Sequence, residues 1–171
     1  MKVKIKLNSN ESIFKTPEML LEAMKKFRYI DFTNLMSPLE VFLTLQGSCH
    51  DQVMFEYSEL EEMGLKPHAK FLMIVDDNNR GLETHSFVYY IQDDKYCWFE
   101  NAWEAQRGIH KFDSYDAMIS DITEQYRPHV SNNKLYLADF IPSEHTIGEP
   151  LGILVDTCMN TAQPLIWLIN Y

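Results

Sequence analysis

The sequence contains only three cysteines among its 171 residues: Cys49, Cys97 and Cys158. They are widely spaced, their number is odd, and no Cys-x-x-Cys pair occurs among them. These features argue against a disulfide framework and against a zinc knuckle, and they leave at least one thiol free. The question is then which of the three thiols is reactive.

Long apolar runs and basic charge are also scarce. No stretch approaches the ~18 uninterrupted apolar residues of a transmembrane helix. The N-terminus alternates lysine with apolar residues and lacks the apolar core of a signal peptide, so we expect a cytoplasmic protein. The 15 Lys and Arg residues against 25 Asp and Glu give a formal net charge of −10. This charge argues against non-specific binding to nucleic acid and to an anionic membrane surface.

Repeats, low-complexity tracts and linkers are absent from the sequence as well. Apolar residues make up 46% and aromatic residues 13%, which is an ordinary globular composition. The length suits one domain with a substantial core. We therefore predict a single domain over residues 1–171, with its core at about 37–141 and a C-terminal extension at 142–171.

The pattern of caps and apolar residues predicts three helices followed by antiparallel strands. Helices are expected from Pro17 to about Phe27, after Ser37, and from Ser48 to Gly64. Strands are predicted at 2–7, 66–75, 84–92, 95–101 and 134–141, with a helix from 115 to about 126 that Pro128 stops. The last thirty residues are expected to be irregular, apart from a short strand at 165–169. This order predicts an α+β fold with N-terminal helices packed on an antiparallel β-sheet.

Cys49 is the cysteine with a setting for chemistry. It follows Gly47 and Ser48 at about the first position of a predicted helix, and Asp51 completes a capping box with Ser48. The partial positive charge of a helix N-terminus stabilises a thiolate, and its unpaired N–H groups can stabilise an oxyanion. Cys97 lies within a predicted strand, and neither Cys97 nor Cys158 is at the start of a predicted helix. The alternative for Cys49 is a small buried apolar side chain.

A nucleophilic thiol needs an imidazole partner, and six histidines are available. His50 follows Cys49 directly, so on a helix its side chain points about 100° away, and we do not expect it to face the thiol. His85 begins a strand after a polar loop, where catalytic groups are often displayed, and it is the candidate base. The remaining histidines lie in predicted loops or at element ends and are expected to be solvated: His68, His110, His129 and His145.

The third group has to accept a hydrogen bond from the imidazole, and Glu100 and Asn101 are the candidates. If Asp93 and Asp94 form a two-residue hairpin loop, Phe87 pairs with Glu100, and Glu100 lies on the side of His85. A loop with an odd number of residues places Asn101 there instead. Two-residue loops are the commonest and favour Glu100, but the sequence leaves both open.

Around these residues the chain resembles the transglutaminase-like superfamily of papain-fold proteins. The resemblance covers roughly residues 37–125. It rests on Gly47-x-Cys49 at a helix start, an apolar strand after a helix that Gly64 ends, His85 on a strand, and a tryptophan-rich strand that carries an acid. It implies a papain-like α+β core with a Cys-His-Asp triad.

In that triad the resemblance makes Cys49 the nucleophile and His85 the general base and acid. Glu100 or Asn101 takes the place of the aspartate. The chain departs from the family pattern at this third residue and in Ser86-Phe87, the pair after the histidine. Glutamate can orient an imidazole and papain uses asparagine, so the departures preserve the chemistry.

The resemblance implies acyl transfer through a thioester. We expect a cysteine peptidase or amidase acting on a peptide or protein amide, because water is the simplest acceptor. The alternatives are a protein transglutaminase or deamidase, and a catalytically silent papain-like binding module. No cofactor is expected, and a metal site at Cys49, His50 and His85 lacks a fourth ligand.

Gln46, Trp98 and Trp103 are further candidates for the cleft or for an oxyanion donor. Both tryptophans flank the candidate acid in sequence, with packing in the aromatic core as the alternative. Gln46 begins the string Gln-Gly-Ser-Cys, which also occurs in papain. There the nucleophile lies three residues beyond the matching cysteine, where this chain has Gln52, so we interpret the match as chance.

Overall fold

The computed structural model describes residues 12–31, 33–75, 81–130 and 134–165. The helices in these ranges are Pro17–Met24 (α1), Pro38–Thr44 (α2), Cys49–Glu62 (α3), Tyr115–Val130 (α4) and Leu151–Met159 (α5). The strands are Arg28–Tyr29 (β1), Gln46–Gly47 (β2), His68–Val75 (β3), Gly81–Gln92 (β4), Lys95–Glu100 (β5), Gly108–Phe112 (β6), Lys134–Phe140 (β7) and Gln163–Pro164 (β8).

The main sheet has six antiparallel strands in the order β6-β5-β4-β3-β7-β8. The short strands β1 and β2 form a separate parallel pair. Helices α1, α2 and α3 come first in the chain and pack with the sheet around one apolar core. The fold is α+β with N-terminal helices on an antiparallel sheet, as the sequence predicts.

The central strand β3 supplies side chains to two apolar cores. Phe71 and Met73 join the core that contains α1, α3 and α5. Leu72 and Ile74 point the other way and join the core that contains α4. Because successive side chains of a strand alternate between its faces and both faces are covered, β3 is a continuous apolar run in the sequence. The predicted buried strand is confirmed.

Strands β4 and β5 form the hairpin that sets the register of the candidate site. Gln92 pairs with Lys95 and Val88 pairs with Phe99, so Asp93 and Asp94 form a two-residue loop. The predicted loop length is confirmed, and with it the register in which Glu100 lies on the side of His85. Asp93 and Asp94 have φ angles of 51° and 57°, as a type I′ turn requires.

The substitution Asp94→Gly is expected to raise the free energy of unfolding by about 1 kcal/mol, because the left-handed conformation strains an L-residue but not glycine. Asp94→Ala should lower it, because aspartate tolerates the left-handed conformation better than alanine does. Urea unfolding of the three proteins measures both changes. A glycine variant less stable than the wild type would contradict the turn assignment.

Several elements differ from the predictions. The prediction that Pro128 stops helix α4 is wrong, since the helix continues to Val130 and Pro128 removes one backbone N–H only two residues before its end. Helix α5 occupies part of the segment predicted to be irregular: Pro150 is its N-cap, where proline starts a helix and does not break it. Strand β6 was not predicted. The strand predicted at 2–7 lies outside the described residues, and so does the one at 165–169 except for Leu165, which follows β8.

Among the described residues, no helix combines the length and the apolar character needed to cross a membrane.

Candidate active site

Helix α3 begins with the predicted capping box. The Ser48 hydroxyl accepts from the Asp51 N–H at 3.4 Å, and Asp51 Oδ2 accepts from the Ser48 N–H at 2.9 Å. Asp51 Oδ1 accepts from the Met36 N–H at 2.8 Å, which ties the cap to the preceding loop. A Cβ at Gly47 would lie 2.9 Å from Asp51 Cβ, so this close approach requires glycine. The cap fixes Cys49 as the first helical residue, where the helix dipole stabilises an anion.

The Cys49 thiol is buried and acidic. Burial raises its pKa, but the charges and hydrogen bonds of His50 and His85 outweigh burial and lower the pKa of Cys49 to about 5. The other two thiols behave oppositely, since burial raises the pKa of Cys97 and raises that of Cys158 to about 12. At neutral pH, Cys49 is therefore the one thiolate among the three cysteines.

The imidazole of His85 lies between Cys49 and Glu100. Its Nε2 is 2.7 Å from Glu100 Oε2, and both side chains are buried. Burial lowers the pKa of His85, but the charge of Glu100 and the contact with Cys49 raise it to about 10. The second oxygen of Glu100, Oε1, accepts from the Trp103 N–H at 2.8 Å. With Nε2 bound to Glu100, Nδ1 is the nitrogen left for the thiol.

Asn101 holds the polypeptide around the site and has different partners from Glu100. Its Nδ2 donates to the Met24 carbonyl at 3.1 Å and to Gln52 Oε1 at 2.7 Å. Gln52 Nε2 in turn donates to the Gly47 carbonyl at 3.0 Å. Asn101 thus joins the end of α1 to the start of α3, while Glu100 contacts the imidazole.

The expectation that His50 turns away from the thiol is wrong, since His50 interacts with Cys49. Residues 49–56 are all buried, so the protein surrounds the first two turns of α3 and the His50 ring stays inside it, next to the thiol. His50 Nδ1 is 2.6 Å from Ser86 Oγ, and its Nε2 is 3.4 Å from Thr84 Oγ1. Its ring stacks on Phe71 with centroids 5.6 Å apart. The thiol therefore has two imidazole neighbours.

Tyr29 is a further neighbour of the thiol that sequence reasoning missed. It lies in β1, opposite Gly47 in the parallel β1–β2 pair. Its hydroxyl interacts with Cys49 and with the Asp31 carboxylate. The segment around Tyr29 has no hydrophobic period, so no signal in the sequence places it beside Cys49.

A cleft of about 200 Å³ opens beside His85 and Tyr29. Trp103 lies in its wall with its ring 5.8 Å from that of His85, edge to face. Trp98 is fully buried against His110 at 4.7 Å, and Gln46 lies opposite Arg28 in β2, so neither is part of this wall. The cleft is lined by Tyr29, Glu83, Thr84, His85, Ala102, Trp103 and Tyr126.

Glu56 is a buried carboxyl group that the sequence did not mark as part of the site. It lies seven residues after Cys49, on the same side of α3, and is 2% exposed. Burial, followed by the charge of Glu100, raises the pKa of Glu56 well above its ordinary value. The shift favours the neutral form of this carboxyl group inside the site.

Two histidines expected to be solvated are in contact with protein. His110 lies in β6, with Nε2 2.7 Å from the Gln106 carbonyl. His145 is almost fully buried, with Nδ1 2.6 Å from Glu149 Oε1. His68 is exposed and stacks on Tyr89, and the side chain of His129 lies outside the described part of the chain. Within the described ranges, no group of three or more His, Cys, Asp or Glu side chains is arranged to hold a metal ion.

No protein-family model and no curated protein matches this chain. Among solved structures, LapG of Legionella pneumophila, in an EGTA-treated form, matches with a TM-score of 0.45 and 14% sequence identity. The match covers 84% of this chain and 76% of the LapG chain. LapG is a cysteine protease of the transglutaminase-like family. A likeness this distant carries no conclusion about activity, which has to be argued from the residues of the site.

Proposed function

We propose that this protein is a thiol-dependent acyl-transfer enzyme, most simply a cysteine peptidase or amidase that cleaves an amide bond. The observation that supports it best is the chain of contacts from Cys49 through His85 to Glu100, with 2.7 Å between His85 Nε2 and Glu100 Oε2. A thiolate, an imidazolium and an orienting carboxylate are the three groups that nucleophilic thiol catalysis needs.

In the first half of the proposed reaction, the Cys49 thiolate attacks the carbonyl carbon of the amide. The C=O π electrons move to oxygen, and a tetrahedral intermediate forms. Its collapse breaks the C–N bond while the His85 imidazolium gives its Nδ1 proton to the leaving amine. The product is a thioester on Cys49, a free amine and a neutral imidazole.

In the second half, neutral His85 takes a proton from water, and the hydroxide attacks the thioester carbonyl. Collapse of that intermediate expels the Cys49 thiolate and releases the carboxylic acid, which restores the starting ion pair. Glu100 keeps Nε2–H occupied throughout, so that Nδ1 stays aimed at the reacting atoms. An amine in place of water would give transamidation, and a glutamine side chain as the amide would give deamidation.

Alkylation by iodoacetamide tests the proposal without knowledge of the substrate. We expect one thiol to be alkylated, at a rate that rises with an apparent pKa of about 5 and is already at its plateau near neutral pH. An ordinary thiol would instead react faster up to about pH 8.5, because only its thiolate is nucleophilic. The fast reaction should disappear in Cys49→Ala and persist in Cys97→Ala and in Cys158→Ala.

If iodoacetamide alkylates all three cysteines at the same rate, and that rate is typical of free thiols, the proposal that the protein is a thiol enzyme is contradicted. Acylation is then tested with p-nitrophenyl acetate, which should release a burst of p-nitrophenolate as the Cys49 thioester forms. An acidic thiol that is alkylated but never acylated would favour the alternative, a catalytically silent binding module. A library of amides, with and without an added amine, separates hydrolysis from transamidation.

A further inference from the structure

The backbone of β1 fixes Tyr29 opposite Gly47, in the segment that leads to the nucleophile. The Arg28 N–H donates to the Leu45 carbonyl at 2.9 Å, and the Ile30 N–H donates to the Gly47 carbonyl at 3.3 Å. Tyr29 lies between these two hydrogen bonds and is opposite Gly47. Gly47 in turn precedes Cys49 by two residues. Its position is thus set by the same segment that leads into α3, and its side chain does not have to pack in the core.

The side chain of Tyr29 lines the cleft together with His85 and is 49% exposed. Its hydroxyl interacts with Cys49. Burial, followed by the negative charge of Cys49, raises the pKa of Tyr29, so its hydroxyl stays protonated. Its hydroxyl is therefore a hydrogen-bond donor at neutral pH.

We propose that the Tyr29 hydroxyl donates a hydrogen bond to the oxyanion that forms when Cys49 attacks a carbonyl carbon. This makes Tyr29 a catalytic residue, and it rests on the proposed function of Cys49. The second donor would be the backbone N–H of Cys49, which has no partner within the helix because Cys49 is its first residue.

The chemistry of the step explains why a donor at the thiol is well placed. As the S–C bond forms, negative charge leaves sulfur and appears on an oxygen two bonds away. A hydroxyl that contacts the sulfur in the free enzyme needs only a small shift to reach that oxygen. No proton is transferred in this step, and the hydroxyl keeps its hydrogen. The Asp31 carboxyl group is a second acceptor near the hydroxyl, and the single O–H of Tyr29 can donate to only one acceptor at a time.

The test compares two reactions of Cys49 in Tyr29→Phe. Acylation by p-nitrophenyl acetate passes through an oxyanion, whereas alkylation by iodoacetamide is a direct displacement at carbon and does not. We expect Tyr29→Phe to lower the acylation rate on the order of 10²-fold relative to the alkylation rate, as loss of one oxyanion donor does elsewhere. Tyr96→Phe is the matched control, because Tyr96 is near the hairpin end of β5, away from Glu100, and both rates should be unchanged.

Each other outcome counts against Tyr29. If acylation and alkylation fall by the same factor, Tyr29 only positions or ionises the thiol, and the oxyanion role is overturned. It is equally overturned if acylation keeps its wild-type rate or becomes faster, as removal of a group that merely caps the thiolate would cause. A wild-type protein that is alkylated but not acylated contradicts the proposed function itself, so the two failures are distinguishable.

Discussion

Replacing His85 by alanine is expected to slow acyl transfer at Cys49 by about 10³-fold, because the leaving amine loses its proton donor and the attacking water its base. Alkylation of the thiol should fall much less. His50 remains beside Cys49, and its charge contributes more than that of His85 to the low pKa of the thiol. Amide turnover and iodoacetamide alkylation of His85→Ala measure the two effects separately.

His68→Ala is the matched control for this variant. His68 is exposed at the start of β3 and stacks on Tyr89 with ring centroids 5.0 Å apart, so its loss should change neither rate. Equal losses of acyl transfer and alkylation in His85→Ala would show that His85 acts only on the ionisation of the thiol. That result would contradict the assignment of His85 as the general acid and base.

Replacing Asn101 by alanine is expected to lower the free energy of unfolding by about 3 kcal/mol, because it leaves two buried acceptors without a donor. These acceptors are the Met24 carbonyl and Gln52 Oε1, and Asn101 itself is 1% exposed. Urea unfolding measures the loss. The folded fraction should keep the alkylation profile of Cys49, because Asn101 does not touch the imidazole.

Glu100→Gln, at the neighbouring residue, is the variant to compare with Asn101→Ala. It should change the rate of acyl transfer and its dependence on pH. Both oxygens of Glu100 accept hydrogen bonds, one from His85 and one from the Trp103 N–H, and an amide can accept only one of them. Loss of the charge also lowers the pKa of His85, so the alkaline limb of the acyl-transfer profile should move down from about 10. If the alkaline limb of the pH profile stays unchanged in Glu100→Gln, or shifts in Asn101→Ala, then the assignment of Glu100 as the partner of His85 and of Asn101 as a structural residue is wrong.

Much of the site could be predicted from local signals in the sequence. The capping box of Ser48 and Asp51 places Cys49 at the first position of a helix. The Asp93-Asp94 loop sets a hairpin register, and the register selects Glu100 over Asn101 as the residue on the side of His85. Caps and tight turns depend on residues close in sequence, so such inferences need no knowledge of tertiary packing.

The missed residues depend on contacts between segments distant in sequence. Tyr29 reaches the thiol only because β1 pairs with β2, two strands of two residues each that no periodicity reveals. His50 was assigned from its helical offset of about 100° from Cys49, and Glu56 was not singled out, whereas the first two turns of α3 are buried on every side. Helix α5 was missed because Gly148, Pro150 and Gly152 suggested loops, whereas Pro150 caps the helix.

The opposite pKa shifts of Cys49 and His85 have a consequence for the proton balance of folding. Between the ordinary pKa values of 6.5 for histidine and 9.0 for cysteine, the unfolded chain carries its proton on sulfur and the folded chain carries it on the imidazole. Folding moves this proton within the molecule and exchanges none with solvent, so the stability that the pair contributes is independent of pH across that interval. It is lost below the interval as the thiolate is protonated, and above it as the imidazolium is deprotonated. The contribution of the Cys49–His85 ion pair to the free energy of unfolding is therefore constant between pH 6.5 and 9.0.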